Sequence, residues 1–143
     1  MNITLLGTGR MGSAMAERLL DQGHNLTVWN RTAGKAQKLL DRGAHWADTP
    51  ALAVANSEAV ISVLTDAKAI EQAYSGPAGV LSTSVAGKLF IDMSTVRPVT
   101  PKELGAKLAQ AKAHFVECPV GGTVGPARDG KLLGLAGASA EDF

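Results

Sequence analysis

Cysteine is almost absent from this sequence, which contains Cys118 alone among 143 residues. A single cysteine cannot form an internal disulfide, so nothing in the sequence calls for an oxidising compartment. We therefore expect a protein of the reducing cytoplasm, with Cys118 as a small buried residue at the end of a strand.

An excess of charge of either sign is also missing, since 14 lysines and arginines stand against 13 aspartates and glutamates. The net charge of +1 offers no basic surface, and we expect no nucleic-acid partner. No apolar run approaches the length of a transmembrane helix, and glycines interrupt the first apolar stretch almost at once. Neither a membrane span nor a signal peptide is expected.

The three histidines, His24, His45 and His114, stand at the starts of predicted strands without partners at the spacing of metal ligands. We therefore predict no metal site. Hydrophobic residues make up 45% of the chain, and we found no internal repeat or low-complexity stretch. These properties indicate one globular domain spanning residues 1–143.

Apolar strands alternate with helices along the chain. Thr32 and Asp66 are predicted helix caps, and Thr100 to Glu103 resembles a capping box. The short connections favour an α/β fold with a doubly wound, mostly parallel sheet, and a flavodoxin-type sheet is the alternative. Strands are predicted at 3–6, 24–29, 44–47, 59–64, 89–92, 114–118 and 132–136, and helices at 13–21, 33–42, from 50, at 67–74 and from 101.

A glycine motif, Gly7-Thr8-Gly9-Arg10-Met11-Gly12, connects the first predicted strand to the first predicted helix. Gly7 permits a tight turn, Gly9 lets the backbone approach a ligand, and Gly12 lets the helix sit close to the strand. The helix N-terminus then offers N–H groups to an anion. The motif predicts the pyrophosphate site of a Rossmann-type NAD(P)-binding domain, and a purely structural turn is the alternative.

The tip of the second predicted strand lacks the acidic residue that would bind the ribose hydroxyls of NAD. It reads Asn30-Arg31-Thr32 instead. An amide, a guanidinium and a hydroxyl suit a 2′-phosphate, so the sequence favours NADP over NAD. The alternative is that Arg31 is a solvated surface residue and Thr32 only caps a helix.

Two later segments are hard to explain as packing. Residues 90–98 (FIDMSTVRP) lie at the C-terminal end of a predicted strand, where open α/β sheets bind ligands, and residues 117–132 (ECPVGGTVGPARDGKL) are rich in glycine. With the glycine motif and the N-R-T tip, they resemble the β-hydroxyacid dehydrogenase family. That family includes 3-hydroxyisobutyrate dehydrogenases, tartronate semialdehyde reductases and glyoxylate/succinic semialdehyde reductases, and is related to 6-phosphogluconate dehydrogenase. The resemblance covers almost the whole chain.

The resemblance implies a role for each matching position. It places the cofactor against the glycine motif, the N-R-T tip, residues 63–65 at the end of the fourth predicted strand, and Thr95. It places the substrate carboxylate against Ser94 and residues 121–123. The purely structural alternatives are that Ser94 and Thr95 form hydrogen bonds with backbone groups at the strand end and that Gly121 and Gly122 form a turn. The implied cofactor residues are Gly7, Thr8, Gly9, Arg10, Met11, Gly12, Asn30, Arg31, Thr32, Val63, Leu64, Thr65 and Thr95, and the implied substrate residues are Ser94, Gly121, Gly122 and Thr123.

The chain departs from the family pattern at three points, one of which is Pro126, where a glycine is common in the family. The family commonly reads P-V-S-G-G where this chain has Pro119 to Thr123, so a serine hydroxyl is missing at Gly121 and Thr123 is expected to replace it. The lysine that serves the family as general acid and base, on a later helix, is also missing. Lys88 and Lys131 do not fit that role.

We therefore expect the cofactor domain of a longer oxidoreductase, without its C-terminal helical domain, that binds NADP(H) but does not complete catalysis alone. The whole enzyme would transfer hydride between NADP(H) and a small β-hydroxy acid or semialdehyde, and would form a homo-oligomer. A non-catalytic dinucleotide-binding module is the main alternative. A deazaflavin-linked reductase is a weaker one.

Overall fold

The computed structural model describes every residue from Met1 to Phe143. Nine strands and six helices alternate along the chain, with single turns of 3₁₀ helix at Ala33–Ala36 and Val80–Ser82. The strands are β1 (Asn2–Leu6), β2 (Asn25–Trp29), β3 (His45–Trp46), β4 (Ala59–Ser62), β5 (Leu89–Asp92), β6 (His114–Glu117), β7 (Val120–Gly121), β8 (Leu133–Gly134) and β9 (Gly137–Ala138). The helices are α1 (Arg10–Asp21), α2 (Gln37–Asp41), α3 (Pro50–Val54), α4 (Ala67–Ser75), α5 (Val99–Gln110) and α6 (Val124–Asp129).

Seven strands form one sheet in the order β3-β2-β1-β4-β5-β6-β9. The first six pair in parallel, and β9 adds an antiparallel edge to β6. The strand order reverses between β1 and β4, which makes their carboxyl ends the topological switch point where open α/β sheets bind ligands. The predicted doubly wound, mostly parallel Rossmann-type sheet is confirmed.

The core lies on both faces of this sheet. Leu5 and Leu6 are both fully buried, and adjacent strand residues point to opposite faces, so they belong to different hydrophobic clusters. One cluster centres on Phe90 and Tyr74, whose ring centroids are 6.0 Å apart. Apolar residues on both faces of the central strands explain why these strands read as nearly continuous hydrophobic runs.

Several helix starts differ from the predictions. Helix α1 begins at Arg10, three residues before the predicted start, and α5 begins at Val99. The predicted capping box at Thr100 is wrong, because the Thr100 N–H already donates to Arg97 O and Pro98 is the residue that precedes the helix. The predicted cap at Thr32 is also wrong, since its side chain makes no capping hydrogen bond.

The last part of the chain differs most. The strand predicted at 132–136 is limited to β8, which pairs with β7 in a separate two-stranded sheet. Helix α6 was not predicted, because Gly125 and Pro126 are typical of a loop. It packs against α1, where the Arg128 Nε donates to Glu17 Oε2 at 2.7 Å. None of the helices combines the length and the apolar character needed to cross a membrane.

Candidate functional site

The turn between β1 and α1 needs glycine at two of its three motif positions. Gly7 has a φ of 101°, and a Cβ there would lie 2.2 Å from the Val63 carbonyl oxygen. A Cβ on Gly12 would lie 2.0 Å from the Gly7 carbonyl oxygen. No atom lies within 4 Å of the position that a Gly9 Cβ would take, so Gly9 faces open space above the turn.

The same turn presents unpaired donors to that space. The first hydrogen bond of α1 runs from Ser13 N to Gly9 O, and the N–H groups of Arg10, Met11 and Gly12 have no partner within the chain. The buried Thr8 Oγ1 also lacks a hydrogen-bond partner. Unpaired N–H groups at the positive end of a helix suit a pyrophosphate, so the residues present fit a dinucleotide.

Asn30 at the tip of β2 connects this turn to the neighbouring strand. Its Oδ1 accepts from Thr8 N at 3.0 Å, and its Nδ2 donates to Thr32 O at 2.9 Å. Both ends of the amide are therefore engaged within the protein, which fixes the strand tip relative to the glycine turn. Arg31 and Thr32 are exposed beside it and are free to meet a ligand.

A groove brings most of the predicted cofactor residues together at the switch point, and a polar depression continues it. Met11 and Gly12 line neither of them, and Thr95 borders a separate shallow pocket with Thr65. The groove is lined by Gly7, Gly9, Trp29, Asn30, Arg31, Thr32, Lys35, Val63, Leu64, Thr65, Ala69 and Gln72. The depression is lined by Thr8, Gly9, Arg10, Ser13, Gly34, Lys35, Gln37 and Lys38.

Lys35 and Lys38, which also belong to this lining, were not predicted as site residues from the sequence. They follow the N-R-T tip at a spacing of three residues, which is the signal that could have found them. With Arg10 and Arg31 they give the groove and the depression four cations, and neither lining contains an aspartate or glutamate. This end of the site therefore carries positive charge only.

A buried polar network joins the carboxyl ends of β4 and β5. Asp92 Oδ1 accepts from the hydroxyls of Ser62 and Ser94, each at 2.7 Å. Ser94 Oγ in turn accepts from the backbone N–H of Leu64 at 2.9 Å, and the Tyr74 hydroxyl donates to Ser62 Oγ at 3.0 Å. Burial raises the pKa of the Tyr74 phenol, which keeps it protonated as a donor.

This network bears on the predicted role of Ser94. Its one hydroxyl hydrogen is directed at Asp92, and a substrate carboxylate can only accept hydrogen bonds. Ser94 would have to release Asp92 before it could donate to a substrate, so the proposed contact stays a prediction.

The other predicted substrate residues form the connection between β7 and α6. Gly122 has a φ of 128°, and Thr123 precedes α6 without a side-chain capping bond. No hydrogen bond joins residues 121–123 to Ser94, so their contact with a carboxylate also stays a prediction.

Neither the groove nor the depression is lined by Lys88, Lys131 or Cys118. Lys88 lies at the amino end of β5, where its Nζ donates to the carbonyl oxygens of Ala55 and Ser57, and Lys131 is exposed after α6. Cys118 is half-buried rather than buried, and partial burial raises the pKa of its thiol, which disfavours the reactive thiolate.

A parallel sheet with a glycine turn, free helix N–H groups and a groove at its switch point defines a dinucleotide-binding α/β domain. Residues 2–143 match the family of the NAD binding domain of 6-phosphogluconate dehydrogenase, and the chain belongs to that family. It is an NAD(P)-binding domain of a group of dehydrogenases and reductases, which confirms the resemblance drawn from the sequence.

Two curated relatives illustrate the range of this family. The chain is 41% identical over 134 residues to the cytokine-like nuclear factor N-PAC of Xenopus tropicalis, covering 94% of this chain and 25% of that protein. It is 38% identical over 136 residues to glyoxylate/succinic semialdehyde reductase 1 of Arabidopsis thaliana, covering 95% of this chain and 47% of the reductase. The chain thus spans between a quarter and a half of the length of these relatives.

Solved structures show the same fold. Psf3 in complex with NADP+ and 2-OPP superposes with a TM-score of 0.91 at 32% identity, over 97% of this chain and 49% of Psf3. The 3-hydroxyisobutyrate dehydrogenase of Mycobacterium tuberculosis, with L-serine, gives a TM-score of 0.91 at 26% identity, over 99% of this chain and 47% of the dehydrogenase.

Proposed function

We propose that this chain is the NADP(H)-binding domain of an oxidoreductase that acts on a small β-hydroxy acid or semialdehyde. The bound cofactor would supply or accept the hydride. The observation that carries the choice of cofactor is the charge at the tip of β2, where cations line the site and carboxylates do not. The NADP+ in the Psf3 structure supports the same choice.

The adenosine end would rest on the exposed cations. Arg31 can pair with a 2′-phosphate through its planar guanidinium, and Lys35 borders both the groove and the depression. Thr32 adds a hydroxyl at the same point, and Asn30 holds the strand tip in place. An aspartate or glutamate there would repel the phosphate, and none is present.

The remaining proposed contacts follow the sheet toward β5. The pyrophosphate would lie on residues 7–12, and the nicotinamide half would lie near residues 63–65 and Thr95. The substrate carboxylate would meet Ser94 and residues 121–123. The proton would come from a group other than Lys88 or Lys131, whose positions do not suit proton transfer at this site. We also propose a cytoplasmic homo-oligomer for the whole enzyme.

Calorimetric titration of the 143-residue chain with NADPH and NADH tests this function. We expect NADPH to bind at least about tenfold more tightly, because one charge-assisted hydrogen bond to the phosphate contributes about 1.5–3 kcal/mol. Arg31→Ala and Lys35→Ala should each weaken NADPH by about tenfold and leave NADH nearly unchanged. Lys102→Ala, an exposed lysine on α5, is the matched control. Equal affinities for both cofactors would contradict the assignment of NADP.

A non-catalytic dinucleotide-binding module is the second candidate, and the similarity to N-PAC favours it, because that relative is named as a nuclear factor rather than a reductase. NADPH oxidation with glyoxylate and succinic semialdehyde, followed in the full-length protein, separates the two candidates. Turnover supports the enzyme. Tight NADPH binding without turnover supports the module.

A further inference from the structure

Asp92 is a buried carboxylate without a cation. It is 1% exposed, and no lysine, arginine or histidine forms an ion pair with it. A buried carboxylate is costly unless hydrogen bonds hold it, and here two serine hydroxyls donate to the same oxygen. Keeping this carboxylate buried therefore costs desolvation free energy, and packing alone does not explain why it is there.

The reason lies in what the two serines connect. Ser62 ends β4 and Ser94 follows β5, so Asp92 joins two neighbouring strand ends. Through Ser94 the network reaches the backbone N–H of Leu64, which lines the groove in the loop after β4. Thr65 in this loop and Thr95 next to Ser94 border one shallow pocket. One carboxylate thus fixes both loops on the β4–β5 side of the groove.

We propose that Asp92 is a positioning residue of the cofactor site, which acts through Ser94 to hold the Leu64 loop in place for the nicotinamide half of the dinucleotide. It touches neither cofactor nor substrate itself. The adenosine half lies on the other side of the switch point, at β2, and the network does not reach it. This inference rests on the proposed binding of NADP(H).

The two halves of the cofactor provide the test. Adenosine 2′,5′-bisphosphate contains only the adenosine half, whereas NADP+ contains both, and calorimetry measures the affinity of each for the 143-residue chain without substrate. We expect Ser94→Ala to weaken NADP+ about tenfold and to leave the bisphosphate within about twofold. Asp92→Asn retains an acceptor oxygen but loses the charge, so its effect on NADP+ should be smaller, about threefold.

Ser57→Ala is the matched control. Ser57 is also a buried serine with hydrogen bonds to a second side chain, Thr4, and to Ala53 O, but it lies before the amino end of β4. We expect it to change neither affinity. Amide exchange of Leu64, measured by NMR, adds a readout that needs no ligand: exchange should accelerate in Ser94→Ala and not in Ser57→Ala.

NADP+ affinity within twofold of the parent chain in Ser94→Ala would overturn the proposal. If Ser94→Ala weakens NADP+ and the bisphosphate by the same factor, the proposal is overturned too, because that result indicates a general structural role. If Ser94→Ala does not fold, Asp92→Asn decides by the same comparison. A parent chain that binds neither ligand would overturn the proposed function itself, which separates the two failures.

Discussion

Gly12 lies so close to Gly7 that a single methyl group would collide with the Gly7 carbonyl oxygen. In an ordinary helix, replacing glycine by alanine stabilises the protein by up to about 1 kcal/mol. At Gly12 the collision should reverse that sign, because the oxygen belongs to the backbone of a tight turn and cannot rotate away. The residue thus couples the packing of α1 on the sheet to the geometry of the turn.

We predict that Gly12→Ala destabilises the chain by about 1–3 kcal/mol and weakens NADP+ binding, since the turn must open to admit the methyl group. Urea unfolding and calorimetric titration measure the two effects. Gly125→Ala in α6 is the control, because no atom lies within 4 Å of its Cβ position, and it should be neutral or slightly stabilising. Parent-like stability of Gly12→Ala would disprove the predicted collision.

Thr8 supports the same view of the site. Its buried Oγ1 has no hydrogen-bond partner in the chain, although nearly all buried polar groups in folded proteins have one. A free hydroxyl at the helix N-terminus is reasonable where a phosphate oxygen supplies the missing partner. The missing partner of Thr8 Oγ1 therefore supports the pyrophosphate position that the glycine motif predicts.

Side-chain caps are present at two of the six helix starts, those of α3 and α4, and the other four helices begin without one. Asp66 Oδ1 accepts from Ala69 N at 2.8 Å before α4, and Thr49 Oγ1 accepts from Leu52 N at 3.1 Å before α3. Thr100 resembles a cap in the sequence but lies inside α5. Each observed cap satisfies an N–H group that the helix itself leaves unpaired.

We predict that Asp66→Ala and Thr49→Ala each lower the free energy of unfolding by about 1 kcal/mol, because each removes a capping hydrogen bond. Thr100→Ala should change it by less than about 0.5 kcal/mol. Denaturant unfolding of the three variants provides the comparison. A loss at Thr100 equal to that at Asp66 would show that the sequence-based capping box operates after all.

The central parallel strands were predictable because their apolar residues are nearly continuous, as in β4, and the glycine turn because its spacing is fixed by the motif. The two-residue strands β7 and β9 were not predicted, since they lie in a glycine-rich part of the chain. Helix α6 was not predictable, since its stability comes from packing against α1 and not from Gly125 or Pro126. The Asp92 network was not predictable either. It depends on β4 and β5 lying side by side, which the sequence does not state directly.

Across the whole molecule, the last residues close the far edge of the sheet. Strand β9 pairs with β6, and Asp142 then reaches back to the start of β6. Its Oδ1 lies 2.6 Å from His114 Nδ1, and its Oδ2 accepts from Phe115 N at 3.3 Å. The hydrogen bond from His114 is the main cause that lowers the pKa of the Asp142 carboxyl below its usual range.

A lowered pKa in the folded state means that Asp142 stabilises the closed edge when it is ionised. The contribution is fully present above the ordinary aspartate pKa of about 3.9 and disappears as the pH falls through the lower folded value. We predict that Asp142→Asn is less stable than the parent chain at neutral pH and loses less stability between about pH 5 and pH 3. Urea unfolding at several pH values measures both differences.

Asp129→Asn, a change of an exposed aspartate at the end of α6 that has no ion pair, should follow the parent curve. If Asp142→Asn also follows the parent curve, the pair with His114 does not hold the edge.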